Sequence, residues 1–379
     1  MSNNKIIYNV IDNTVEYLKL QFNDYINDYD LKSLLNAIKL NNSIKGIIIE
    51  YPKIGIHLNR FNYQEEIEKI KENYYNKFNS FIKTIFDIIK NKNISSLNLS
   101  NVTKNNYDKR VHKIVFSNLY DLLENDNSLL NLDLSKNKLQ NNIKGILNRL
   151  SKNNNLKLEN INLSHTSLND IDLIINFLIQ NRTMKKIDLS NNQITNITNL
   201  DKVIKNNNII EEINLSCNKI TDTFLKNKNN FINSYNNISD LNISVYNLLN
   251  SKLSNDDNKF EKSEIESIVS NIINSCEKYD QNLFKNIIIN TINNSNIKKI
   301  DLSFNEINNI SIFYKYIHKI NNYKKLSKTN SYYENELKNY LQKHFNIDTL
   351  NDDFLKRLKK LNSEIILLWG NPGLIGGGI

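Results

Sequence analysis

The sequence Met184-Lys-Lys-Ile187-Asp-Leu189-Ser-Asn-Asn192-Gln-Ile194 decides the fold of this chain. Ile187, Asp188 and Leu189 alternate between apolar and polar, a pattern typical of a short strand with one buried face. Asn192 follows at the point where the chain has to turn. A buried asparagine amide can pair with backbone N–H and C=O groups in such a turn, which an alanine or leucine side chain cannot do. We therefore predict a short strand followed by a tight turn that Asn192 closes.

The same stretch recurs along the chain. Clear further copies begin at Leu129, Leu158, Ile210 and Ile297. Consecutive copies from 129 to 210 are spaced by 26 to 29 residues. Weaker copies begin at Ile44, Ile94 and Ile238, and a last one contains Ile366 and Asn371. A repeat period in the twenties is the signature of a solenoid, in which each unit buries its apolar face against its neighbours, and we expect about nine strands.

Helical patterns separate the predicted strands. They run over residues 31–38, 143–150, 168–180 and 200–204, and apolar residues recur in them at the spacing of one helix face. Strand, turn, helix and turn together make one unit. The turn after each strand carries a polar residue at the same place: Asn137, Thr166, Asn192, Asn218, Asn305 and Asn371. Stacking of the units predicts that these side chains form a buried row.

With these residues the chain resembles the leucine-rich-repeat family, in its ribonuclease-inhibitor-like form. The resemblance rests on the words NLDLSKNKL, NINLSHTSL, KIDLSNNQI, EINLSCNKI and KIDLSFNEI, each of which contains one strand and its turn. It implies an α/β leucine-rich-repeat solenoid, a curved horseshoe with a parallel β-sheet on the concave face and α-helices on the convex face. It also implies that a partner binds to the concave face.

The resemblance divides the chain into three parts. Residues 1–43 are expected to form an N-terminal helical cap and the first helix, residues 44–372 the repeat domain, and the glycine-rich residues 373–379 a flexible tail. Three intervals between strands are too long for one repeat. We predict long helical insertions there, near 62–92, 249–296 and 308–362. Such insertions either add function to one face or are tolerated bulges on the convex side, and the sequence leaves both interpretations open.

Composition restricts the possible functions. The net charge is +9, but lysines are scattered among acidic residues, which favours a solvated surface and makes nucleic acid an unexpected partner. Asn, Lys and Ile are abundant, as AT-rich codons produce, and this points to a microbe or virus with such a genome. The chain has two cysteines and no apolar run that would serve as a signal peptide or membrane span. We expect a cytoplasmic protein, or one delivered into a host cell.

No catalytic motif is present in the sequence. The five histidines are far apart, and no two have the spacing of metal ligands. We therefore expect no enzymatic activity, no cofactor and no metal. One alternative comes from the family, because some leucine-rich-repeat proteins of this length stimulate GTP hydrolysis; Arg149 and Arg182 are the candidates for a catalytic arginine. The other is nucleic-acid binding through the Lys-rich residues 315–328 and 356–360.

A binding site is predicted at one edge of the sheet. The residue after the recurring serine varies from copy to copy: Asn101, Lys136, His165, Asn191, Cys217, Val245 and Phe304. It changes from polar to apolar toward the C-terminal end, where Trp369, the only tryptophan, follows. Exposed aromatic side chains beside a polar surface are typical of binding hot spots. We predict that Val245, Phe304 and Trp369 anchor a protein partner, unless the later insertions cover them or Trp369 only caps the core.

Residues of the predicted strands complete this site: Lys186, Asp188, Glu212 and Asp301. The expected function is that of a non-catalytic protein–protein interaction module, as an adaptor or scaffold or as a host-interacting effector. The chain is expected to be a monomer. Its partner would be a protein whose identity the sequence does not reveal, because the fold alone does not define a function.

Overall fold

A computed structural model gives the structure of the protein. It describes residues 16–23, 28–53, 64–103, 109–139 and 142–221, followed by 283, 286–288, 290–291, 293–307, 336, 339, 342–343, 365–367 and 371. The chain divides into two compact units. The first comprises Met1–Ile194 and Asn207–Cys217, and the second Thr195–Asn206 and Asn218–Ile379.

Seven parallel strands are described in the first unit, ordered in the sheet as they are in the chain. They are β1 (Tyr17–Asn23), β2 (Gly46–Lys53), β3 (Ser96–Asn98), β4 (Asn131–Asp133), β5 (Asn160–Asn162), β6 (Lys186–Asp188) and β7 (Glu212–Asn214). The register is constant from one repeat to the next, so that Ile187 lies between Ile161 and Ile213. These central residues are buried, as the alternating pattern predicts.

Helices alternate with these strands, as in a repeat solenoid. They are α1 (Asp28–Leu40), α2 (Gln64–Lys92), α3 (Lys109–Asn125), α4 (Ile143–Lys152) and α5 (Asp172–Gln180). Each of α3, α4 and α5 buries the residues that recur at helical spacing on one face. The insertion predicted near 62–92 is a single helix of 29 residues, α2, so the prediction of a long helix is confirmed there.

The second unit contains α6 (Leu200–Asn206), β8 (Lys299–Asp301) and β9 (Ile366–Leu367) among its described residues. β8 and β9 are parallel, with Ile300 opposite Ile366. The described positions between 283 and 293 are helical, and Asn290 there donates a hydrogen bond of 2.9 Å to the Asp201 carbonyl of α6. The insertions predicted near 249–296 and 308–362 lie mostly outside the described residues, and the tail at 373–379 lies wholly outside them.

The N-terminal part differs from the prediction. The helical cap predicted within residues 1–43 is wrong over Tyr17–Asn23, which form strand β1, while α1 is the expected first helix. Leu18, Leu20 and Phe22 are buried, and residues two apart in a strand face the same side. The described residues contain nine strands, the number expected, but β1 is one of them, and the strand predicted near 238 lies outside the described residues.

A buried row of polar side chains closes the turns that follow strands β4 to β9. This strand-end row consists of Asn137, Thr166, Asn192, Asn218, Asn305 and Asn371, all of which are buried. The Asn192 Nδ2 group donates to the carbonyls of Leu163, Leu189 and Ser190. Its Oδ1 accepts hydrogen bonds from the N–H groups of Thr166 and Leu168. The bonds to Leu189 and Ser190 confirm the predicted role of Asn192 in its own turn. Because Leu163, Thr166 and Leu168 belong to the preceding repeat, the same side chain also joins two repeats, which was not predicted.

A second row lies in the turns that follow most of the helices, where the sequence did not predict one. This helix-end row consists of Asn41, Asp126, Asn153, Asn181, Asn207 and Asn294. The Asn207 Oδ1 accepts from the N–H groups of Ile209 and Ile210 at 2.8 and 3.0 Å. Its Nδ2 donates to the carbonyls of Leu178 and Asn181, at the end of the preceding helix, at 2.6 and 3.1 Å. Part of the asparagine content therefore has a structural role, beyond codon composition.

Candidate protein-binding surface

Six of the described strands are followed by a turn that the side chain of the last strand residue stabilises. In β6 the Asp188 Oδ1 accepts a hydrogen bond of 2.8 Å from the Ser190 N–H. The same contact occurs at five other strands, with Ser100, Ser135, Ser164, Ser216 and Ser303 as donors. A short Asp or Asn side chain that bonds the backbone two residues on forms a local turn of this kind. The recurring Asp or Asn is therefore explained by the fold.

The residue after the serine has a left-handed backbone in every described repeat. We call these residues the exposed turn row: Asn101, Lys136, His165, Asn191 and Cys217 in the first unit, and Phe304 in the second. Their φ angles lie between 54° and 61°. In the first unit the N–H of Lys136 donates to the Ser164 carbonyl of the next repeat at 2.9 Å. The bonding between repeats thus imposes a conformation that few side chains other than Gly and Asn favour.

Phe304 is the exceptional member of the exposed turn row. Its side chain is 60% exposed, and its φ angle is 54°. A left-handed conformation costs an ordinary L-residue roughly 1–2 kcal/mol, and a bulky side chain gains nothing in return when water surrounds it. Strained residues of this kind cluster at functional sites. Phe304 is therefore unfavourable for the stability of the free chain, and it is available for contact with another molecule.

The predicted strand residues in the first unit pair with one another. Lys186 and Glu212 lie opposite each other on β6 and β7, and their side chains form an ion pair of 2.8 Å. The hydrogen bond from Lys186 to Glu212 raises the pKa of the Lys186 ammonium above its ordinary value. Asp188 uses one oxygen in the Ser190 turn. The structure thus brings these three predicted residues onto adjacent strands, with part of their hydrogen-bonding capacity used internally.

Asp301 has a similar position in the second unit. Its Oδ1 accepts a hydrogen bond of 3.0 Å from the Ser303 N–H, and its Oδ2 lies 3.3 Å from the Lys299 ammonium. Phe304 follows it in the same turn. The other two predicted anchors, Val245 and Trp369, lie outside the described residues. Of the three apolar residues predicted to form this edge, the structure describes Phe304.

The two candidate catalytic arginines make contacts within the chain. Arg149 lies over the ring of Tyr120, 4.6 Å from its centroid, in a cation–π contact. Burial raises the pKa of the Tyr120 hydroxyl, and the Arg149 charge opposes this rise. Arg182 donates from Nη1 to the carbonyls of Ile179 and Asn181, at 2.8 and 3.0 Å. A cation at these carbonyls stabilises the end of α5.

The described residues show neither a metal-binding cluster nor a membrane-spanning helix. They contain no group of three or more His, Cys, Asp or Glu side chains that would hold a metal ion. None of the helices in this part of the chain combines the length and the apolar composition that crossing a bilayer requires. The Lys-rich residues 315–328 and 356–360, which were candidates for nucleic-acid binding, lie outside the described ranges.

Comparison of the sequence with known protein families and with curated proteins finds no match. Function must therefore be inferred from the residues of this chain. Sequence reasoning found Phe304 from its aromatic character but not its backbone conformation. A signal for the helix-end row was present, since Asn or Asp stands three residues before the first apolar residue of most copies, as at Asn181 and Met184.

Proposed function

We propose that this chain is a non-catalytic protein–protein interaction module of the leucine-rich-repeat type, with the horseshoe curvature of that family. The supporting observations are the constant register of the strands and the turn that recurs after each of them. A stacked array of this kind presents one long surface and needs no pocket to bind a partner. The adaptor, scaffold and host-interacting effector roles are all forms of this function, in the cytoplasm of the producing or of a host cell.

The choice of Phe304 as the main binding residue rests on one observation. Phe304 is exposed and has a left-handed backbone, so both its solvation and its conformation are unfavourable in the free chain. A partner that covers the ring would recover the apolar area, about 25 cal/mol for each Å² removed from water. In the second unit we assign Phe304 to the binding surface, with Asp301 beside it and Val245 and Trp369 as further anchors. In the first unit, Lys186, Asp188 and Glu212 supply polar contacts from the strands.

The experiment compares two substitutions at the same backbone position. Phe304→Asn and His165→Asn both place asparagine, which tolerates a positive φ, at an exposed turn. Affinity capture from a eukaryotic lysate with mass spectrometry is done with both variants and the wild-type chain. We expect one partner to be lost with Phe304→Asn and retained with His165→Asn. Equal capture by all three proteins would contradict the assignment of Phe304.

The GTPase-activating alternative remains a prediction without a supporting contact, because Arg149 and Arg182 both bond within their own chain. Its test is the rate of GTP hydrolysis by candidate GTPases with wild-type protein and with Arg149→Ala and Arg182→Ala. Nucleic-acid binding also remains a prediction. Its mark would be an affinity that falls steeply with salt, since displaced counterions dominate such binding.

A further inference from the structure

The helix-end row lacks its bridging amide at two places: at Asp126, whose carboxylate has no N–H to donate, and at Asn181. Asn153 and Asn207 each donate from Nδ2 to two carbonyls at the end of the preceding helix. Asn181 does not reach the equivalent carbonyls of Leu150 and Asn153. Among the described residues its Nδ2 contacts the Thr183 hydroxyl instead, at a long distance of 3.4 Å. The amide group that joins neighbouring repeats at this level is therefore missing between α4 and α5.

The interruption at Asn181 coincides with a longer turn. Asn181 precedes Met184 by three residues, and Asn207 precedes Ile210 by three, whereas Asn153 precedes the corresponding Leu158 by five. The extra residues separate the ends of α4 and α5 within the first unit. A cavity of about 310 Å³ lies there, lined by residues of both helix ends and of the turns that follow them. Its volume is at the lower end of the range of small-ligand pockets, about 300–1,000 Å³.

The cavity has an apolar floor and a polar rim. Leu150, Leu156 and Phe177 form part of the lining and are buried. Asn154 and Gln180 bring neutral amides to the rim, and Arg182 brings the one charged group among the lining residues. No carboxylate lines this cavity. Its ligand therefore needs a small apolar body and one polar group.

The hydrogen-bonding groups at the rim of the cavity determine which polar group a ligand needs. The last carbonyls of α4 are hydrogen-bond acceptors at the negative end of a helix dipole, which disfavours an anion. Arg182 is a donor, and its Nη1 is already shared between the carbonyls of Ile179 and Asn181. A carboxamide can donate to the α4 carbonyls and accept from the remaining guanidinium N–H groups at the same time. Neighbouring repeats fill the equivalent place with an asparagine amide of the chain itself.

We propose that the cavity between the ends of α4 and α5 binds a primary carboxamide attached to a small apolar group. The carboxamide replaces the amide that Asn181 does not supply. It has two possible sources, the glutamine or asparagine side chain of a protein partner and a free small amide. This site is independent of the Phe304 surface, so either can fail without the other.

The test is an NMR titration of the ¹⁵N-labelled full-length chain with isovaleramide. We expect saturable shifts at the N–H signals of Asn154, Gln180 and Thr183, with a Kd of about 1–10 mM, as suits so small a ligand. Isovalerate has the same skeleton with a carboxylate, which has no N–H to donate to the α4 carbonyls, and should bind more weakly. Equal or tighter binding of isovalerate, or linear shifts without saturation, would overturn the proposal.

Two variants locate the ligand. Arg182→Met should weaken isovaleramide binding about tenfold, whereas Arg149→Met, outside the cavity lining, should leave it unchanged. An unchanged affinity in Arg182→Met would refute the site. Peptides capped with acetyl and methylamide groups and carrying glutamine or norleucine then separate the two sources. Preferential binding of the glutamine peptide supports a partner side chain, and binding of isovaleramide alone supports a small amide.

Discussion

Asparagines in the turns after the strands and in the turns after the helices both join consecutive repeats, but the two rows differ where that side chain is absent or does not reach. In the strand-end row, Thr166 substitutes for asparagine and its hydroxyl donates to the Leu163 carbonyl of its own turn at 2.6 Å, while the Thr166 backbone carbonyl accepts from the Leu139 N–H of the preceding repeat at 3.2 Å. In the helix-end row, the Asn181 amide does not reach the carbonyls at the end of α4, and a cavity lies there. The comparison shows that backbone bonds keep the repeats joined on the strand side even where the side chain does not reach the preceding repeat, because the sheet fixes the register there.

The largest expected effect is that of Asn192→Ala in the strand-end row. The substitution leaves several buried carbonyl and N–H groups without partners, and each such group costs about 1–3 kcal/mol. We expect a loss of about 3 kcal/mol or more in the free energy of unfolding, measured by urea denaturation. Asn191→Ala is the matched control, because Asn191 is the exposed neighbour; its left-handed backbone makes alanine cost only about 1–2 kcal/mol there. Equal losses for the two variants would break the comparison.

The helix-end row predicts a smaller difference. Asn207→Ala removes two donated and two accepted hydrogen bonds and should destabilise the chain by about 2 kcal/mol. Asn181→Ala removes the hydrogen bonds that the Asn181 Oδ1 accepts from the N–H groups of Thr183 and Met184, and it should cost about 1 kcal/mol. The same urea denaturation measures both. If Asn181→Ala is the more damaging of the two, the row is not interrupted where we place the break.

Phe304→Asn is expected to stabilise the chain. Asparagine adopts a positive φ more easily than phenylalanine, and the exposed ring contributes little burial, so we expect a gain of about 1 kcal/mol. Thermal or urea unfolding of the isolated protein measures this, with His165→Asn as a reference of smaller gain. A loss of stability in Phe304→Asn would show that the ring packs against the chain, as the burial alternative in the sequence predicts.

The smallest effect is expected at the ion pair on the sheet surface. Lys186 and Glu212 are both substantially exposed, so a double-mutant cycle with alanine should give a coupling energy of about 0.5 kcal/mol or less. Added salt should reduce it further, because screening weakens exposed pairs. A larger coupling that persists in high salt would mean that this pair, rather than the strand-end row, joins β6 and β7.

The sequence predicts most of the repeat architecture because strand, turn and buried asparagine lie close together in one recurring word. The register of β6 with its neighbours follows directly from that word. The strand at Tyr17–Asn23 was not predicted because the recurring turn sequence does not follow it, although the alternation of Leu18, Leu20 and Phe22 indicates a strand. The leucine-rich-repeat assignment itself remains a proposal that rests on the residues.

The candidate site was predicted only in part. Phe304 was identified from its type, but no local feature of lysine, histidine, cysteine or phenylalanine predicts a left-handed backbone. That conformation comes from hydrogen bonds between repeats, such as the one from Lys136 to Ser164. The helix-end row was missed because asparagine is so common in this chain that single positions do not stand out. Hydrogen bonds between repeats therefore determine the backbone conformation of these turns, which residue type alone does not predict.

Hydrogen exchange gives the most direct test that buried asparagines join consecutive repeats. The amides of Thr166 and Leu168 donate to the Asn192 side chain, although they lie more than twenty residues before it in the chain. In Asn192→Ala we expect these two amides to exchange faster than in the wild type, while Asn191→Ala leaves them protected. Unchanged protection of Thr166 and Leu168 in Asn192→Ala would contradict the account.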